Sequence, residues 1–125
     1  MKYRIREFAK YQFEDGLNWV LAIDEVTYHQ AIEQWKTTQS DVKVNALNLI
    51  DDSDIDLFIT NVTNKSITFV AKNGDKERTV RDRVKPLNTG LPYFLTIEKM
   101  QDLADFDSDY ENFAKYAQKI KAHYE

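Results

Sequence analysis

The chain has 125 residues, of which 42% are apolar and 13% aromatic, and a net charge of −4. That size and composition support a core without staples and fit one domain over residues 1–125, which excludes a disordered or disulfide-dependent class. The absence of cysteine excludes disulfides, thiolate metal sites and thiol catalysis.

Odd positions carry Tyr3, Ile5, Ala9, Tyr11 and Phe13, then Leu17, Trp19, Leu21 and Ile23. Two period-two segments around Asp15-Gly16 predict a hairpin. A three-residue loop, Glu14-Asp15-Gly16, sets 13 opposite 17 and 11 opposite 19, and gathers the odd residues on one face. Gly16 then holds the positive φ that such a loop needs. Glu7 and Phe8 interrupt the pattern, so a bulge or a second buried face is expected there.

Tyr28, Ala31, Ile32 and Trp35 follow the i, i+3, i+4, i+7 spacing of a helix. Asp24 is its expected N-cap, with Thr27 and Gln30 offering a capping box one turn later. Val42, Val44 and Ala46 then alternate as a strand, before Leu47, Leu49 and Ile50 shift the phase. From Ile55, "IDLFITNV", "SITFVA" and "DKERTV" predict a three-strand meander with its second turn at Asn73-Gly74. Pro86, Gly90 and Pro92 mark a connector. Ile97, Met100 and Leu103 predict one helix. A second begins at a Ser108–Glu111 capping box and carries the stripe Tyr110, Phe113, Ala114, Ala117, Ile120 and Tyr124. This order predicts an α+β fold. The expected sheet is antiparallel with five or six strands: an N-terminal hairpin, a helix, then the meander. The helix after the hairpin and the two C-terminal helices are expected on one face.

Charge is segregated along the chain. Residues 41–64 hold five acids and one base, residues 98–112 six acids and one base, and residues 65–85 seven bases and three acids. Asp51, Asp52 and Asp54 form one candidate recognition cluster. Asp102, Asp105, Asp107, Asp109 and Glu111 form a second. Asp52, Asp54 and Asp56 have the spacing of a calcium loop, but Leu57 and Thr63 stand where that loop needs Gly and Glu, and no metal site is expected. The basic candidates are Lys72, Lys76, Arg78, Arg81, Arg83 and Lys85. Aromatic residues that would stack bases are not interleaved among them, which favours a solvated edge strand over a nucleic-acid surface.

Neither His29 nor His123 belongs to a metal-ligand spacing, and no Gly-rich phosphate loop or nucleophile elbow is present, so neither catalysis nor a cofactor is expected. With no signal-peptide pattern and no apolar run near the roughly 20 residues of a membrane helix, a cytoplasmic protein without membrane contact is expected. The sequence reading is a protein-binding module, of the inhibitor, immunity or adaptor kind, whose acidic clusters meet a basic protein surface. The alternatives are a nucleic-acid module using residues 72–85 and, behind it, an enzyme.

Overall fold

The computed structural model describes residues 1–8, 19–83 and 93–124. Among these residues seven strands form one curled antiparallel sheet in the order β6-β5-β4-β3-β2-β1-β7. They are β1 (Lys2–Phe8), β2 (Trp19–Asp24), β3 (Val42–Asn48), β4 (Asp54–Val62), β5 (Ser66–Asn73), β6 (Lys76–Arg83) and β7 (Leu95–Thr96). Three helices accompany them: α1 (Glu25–Thr38), α2 (Ile97–Phe106) and α3 (Asn112–Tyr124). The α+β class and the antiparallel sheet are as expected. The strand count is seven rather than five or six, because Leu95 and Thr96 pair with Tyr3 and Lys2. Two residues are too few to leave an alternation in the sequence.

The first strand pair corrects the expected register. Tyr3 lies opposite Asp24 and Phe8 opposite Trp19, in six consecutive pairs with no bulge. Trp19 is therefore not opposite residue 11. The expected Glu14-Asp15-Gly16 loop lies outside the described residues. In the observed register, odd residues of β1 share a face with even residues of β2. Tyr3 and Ile5 lie with Val20 and Ala22, and Arg4 and Arg6 lie with Leu21 and Ile23. Residues Trp19 through Ile23 are all buried. A strand buried on both sides reads as a continuous apolar run, not as an alternation.

The helices consequently do not share one face. On one side Tyr28, Ala31, Ile32 and Trp35 of α1 join Leu21, Ile23, Val44, Ile55, Leu57 and Phe69. On the other, Met100 of α2 and Tyr116, Ala117 and Ile120 of α3 join Tyr3, Val20, Ala22, Leu47 and Leu49. The phase shift at Leu47 is the sequence trace of this second layer: β3 turns Val42, Val44 and Ala46 toward α1, and Leu47, with Leu49 just past the strand, joins the cluster of α3. Met100 and Ile120 are fully buried. Each such side chain contributes about 1.5–3 kcal/mol by leaving water.

Local signals set the element ends. Asp24 Oδ1 accepts the Thr27 amide at 2.8 Å, so the helix caps at Asp24 and not one turn later. Thr96 caps α2 by accepting the Lys99 amide at 3.0 Å. The Ser108–Glu111 box does not start α3. Asp107, at the end of α2, accepts the Asp109 amide at 3.0 Å and starts a 3₁₀ turn over Ser108–Tyr110, and α3 follows at Asn112. In the last hairpin Asn73 pairs with Lys76, so the loop is Gly74-Asp75, one residue later than expected. Gly74 takes φ +64 there, as a II′ turn requires at its first loop position. Pro86, Gly90 and Pro92 lie outside the described residues.

Candidate functional site

The curl of the sheet brings β6 toward β1, five places away in strand order. Arg6 Nε donates to Asp82 Oδ1 at 2.9 Å, and Arg4 Nη2 stands 3.6 Å from the same oxygen. Tyr28 donates to Asp82 Oδ2 at 3.4 Å and lies 3.2 Å from the Tyr93 hydroxyl. Tyr93 donates to the Arg83 carbonyl at 2.7 Å, and the Arg4 guanidinium lies 4.4 Å from its ring centre. Asp82 is only 5% exposed. A carboxylate this deep persists because it is paired on both oxygens. Burial pushes the Tyr28 hydroxyl pKa far up, and the charge of Asp82 adds to the effect. This cluster clips the two strands together by side chains. The sequence reading missed it: Arg4 and Arg6 alternate with Tyr3 and Ile5 as a solvated face would, and only Asp82 shares the phase of a buried residue, Val80.

The basic candidates separate into three environments. Arg78 is 3% exposed and stacks on Trp19 at 3.8 Å, so it belongs to the interior. Lys72 lies 5.0 Å from the Phe58 ring centre and opposite Asp56 in the ladder; Lys76 is exposed at the hairpin tip. Arg81 and Arg83 are exposed on the outer face of β6, two residues apart, and Lys85 lies outside the described residues.

The first acidic cluster is a braced turn. Asp51 Oδ1 accepts the Ser53 hydroxyl at 2.6 Å and the Ser53 amide at 3.0 Å, and this hydrogen bonding holds its carboxyl pKa below the ordinary 3.8. Asp52 takes φ +63 and pairs with Lys119 Nζ of α3 at 3.2 Å. The same ammonium donates to the Leu49 carbonyl at 2.8 Å. Asn48 Oδ1 accepts the amides of Val20 and Ile50. Asp54 stands 3.9 Å from His123 Nε2, and Asp56 3.7 Å from Lys43 Nζ. Each Asp here has a local task or a nearby base.

The second acidic cluster differs. Asp102, Asp105, Asp107, Asp109 and Glu111 are all exposed, and among the described residues none forms an ion pair. Among them stands Phe106, 90% exposed at the end of α2. The other exposed large apolar residues among those described are less bare: Met1 is 66% exposed, Val26 51% and Ile50 48%. The sequence reading found the carboxylates and missed the phenylalanine.

A groove of about 510 Å³ runs between α1 and the β4–β5 turn, with Tyr28, His29, Trp35, Tyr93 and Phe94 among its walls. His29 lies in it beside Phe94, with ring centres 5.2 Å apart. Among the described residues no three histidines or carboxylates come together as a metal ion would need. No described helix is long and apolar enough to cross a membrane. No family model matches the chain, and neither a curated protein nor a solved structure matches it significantly.

Proposed function

We propose that the chain is a protein-binding module of the inhibitor, immunity or adaptor kind, acting in the cytoplasm, whose contact surface is the α2–α3 connector. One observation carries the reading: Phe106 stands 90% exposed amid five carboxylates that have no cation partner among the described residues. A bare aromatic ring gains by entering a recess on another surface, where such anchors dominate affinity. Unpaired exposed carboxylates do little for the fold. Facing a basic partner, they speed encounter and select against acidic surfaces. The partner this chemistry fits is a protein with a basic rim around an apolar recess.

The experiment uses three baits in extract from the native host: the unaltered chain, a connector variant (Phe106→Ala with Asp105, Asp107 and Asp109→Asn), and a turn variant (Asp51, Asp52 and Asp54→Asn). The expected result is a partner retained by the first and third baits and lost by the second. Rate measurements on that partner should give slower association for the connector variant and a shallower salt dependence. A partner held equally by the connector variant would sink the proposal.

A further inference from the structure

The β4–β5 turn carries a second surface with the opposite chemistry. Thr63, Asn64, Lys65, Ser66, Arg81 and Arg83 line an open concavity of about 740 Å³. The wall has three cations, two hydroxyls and one amide, and no carboxylate. The backbone places them there. Ser66 pairs with Arg83 and Thr68 with Arg81, so both arginines rise on the outer face of the sheet. The turn itself is fixed, since Thr63 Oγ1 accepts the amides of Lys65 at 3.2 Å and Ser66 at 3.0 Å. Asp82, between the two arginines in sequence, points to the inner face and is taken by Arg4 and Arg6. Lys65, Arg81 and Arg83 have no ion pair among the described residues. In a chain of net charge −4, a concavity with only cations and neutral donors is a local reversal of sign.

The turn also borders the aromatic groove, which shares Thr63 and Asn64 as walls. In that groove His29 is exposed, and Tyr93 and Phe94 are half-buried. Tyr93 ties the groove to the basic strand by its 2.7 Å hydrogen bond to the Arg83 carbonyl. The rings absent from the basic stretch of sequence are thus supplied by α1 and by residues 93–94. Guanidinium groups hold phosphate oxygens in pairs, and ring faces stack bases with little regard to sequence.

We propose that this end of the sheet binds a nucleotide, with its phosphate on Arg81, Arg83 and Lys65 and its base against His29, Tyr93 and Phe94 across the β4–β5 turn. A single-stranded nucleic acid and a free nucleotide present the same chemistry. The site is separate from the α2–α3 connector and stands whether or not that surface binds a protein.

The test is fluorescence anisotropy of a labelled single-stranded oligonucleotide and, separately, of a fluorescent ATP analogue at low salt, with ATP and the unlabelled strand as competitors. The expected result is saturable binding that the double variant Arg81→Ala with Arg83→Ala weakens by about tenfold or more. The salt slope should fall by about one for each arginine removed. Phe94→Ala should weaken binding by about tenfold. His29→Ala, at an exposed position, gives a ring deletion with little risk to the fold. Full displacement by ATP assigns the site to free nucleotides; displacement by the strand alone assigns it to single-stranded nucleic acid. Absence of binding to both probes, or binding unchanged in the arginine variant, overturns the proposal. Loss in the arginine variant with no effect of either ring deletion overturns its base-binding half.

Discussion

The two acidic stretches look alike as sequence and differ as structure. "DDSDID" and "DFDSDYE" both alternate aspartate with small or apolar residues. In the first, the carboxylates serve the fold. Asp51 organises its own turn through Ser53, and Asp52 meets Lys119, whose ammonium also reaches the Leu49 carbonyl and joins α3 to the β3–β4 turn. In the second, Asp107 caps a 3₁₀ turn, and the remaining carboxylates face water around a bare phenylalanine. Composition does not separate a braced turn from a cluster of unpaired carboxylates. The nearest cation does.

The largest effect is expected at Lys119, which joins α3 to the first turn. Its side chain is 19% exposed, so Lys119→Met keeps the packed stem and removes only the ammonium. The change should destabilise by about 1–2 kcal/mol, through the lost ion pair and a Leu49 carbonyl left without its donor. Urea melts decide it. If the variant melts with the wild type, the turn is not braced and the contrast collapses.

A smaller effect is expected from Asp52→Asn, about 0.5 kcal/mol, because that carboxylate is largely exposed and screened by solvent. A double-mutant cycle with Lys119→Met should recover a coupling of that order. Additive effects would mean that Asp52 and Lys119 merely lie close.

The connector should respond least. Neutralising Asp105, Asp107 and Asp109 to Asn keeps the Asp107 capping geometry and relieves repulsion, so stability should stay within about 0.5 kcal/mol of wild type. Thermal melts showing a loss well beyond that would make the second cluster structural too.

Acid titration adds a last, shallow contrast. The Asp51 carboxyl is held below 3.8 in the folded chain, so its ionised form favours folding. Its contribution is complete above about pH 4 and fades as pH falls through the lowered value. Ser53→Ala removes the hydrogen bond that the Ser53 hydroxyl donates to Asp51 and leaves that of the amide. The stability gap between that variant and wild type should be constant above about pH 4 and narrow below it. A gap that widens on acidification contradicts the assignment.

Much of the fold was legible because period and capping act over a few residues. The α1 stripe of Tyr28, Ala31, Ile32 and Trp35 is the buried set observed. The three meander strands alternate because only one of their faces is covered by a helix. The β1–β2 register was not legible, since it depends on which residue of β1 meets which of β2, and a one-residue shift exchanges the two faces. Arg78 and Asp82 looked like surface charge. Their phase with Val80 marked them as inward-facing, and what makes them tolerable, Trp19 and Arg6, comes from distant strands. Phe106 follows Ile97, Met100 and Leu103 at spacing three but was not singled out. A helix turns once in 3.6 residues, so nine residues carry Phe106 about half a turn away from Ile97, out of the layer that covers the sheet. The aromatic groove was illegible for the same reason as the interior cluster, because its rings come from separate parts of the chain.

Recognition through Phe106 is tested by a photo-crosslinking phenylalanine analogue placed at position 106 in one chain and at position 50 in another, both expressed in the native host. Ile50 is a fair control, being half-exposed beside Asp51 and Asp52 in the braced turn. Recognition through the α2–α3 connector predicts a discrete crosslinked protein at 106 that disappears as salt rises, and none at 50. Crosslinks at 50 that equal or exceed those at 106, or none at either position, would contradict it.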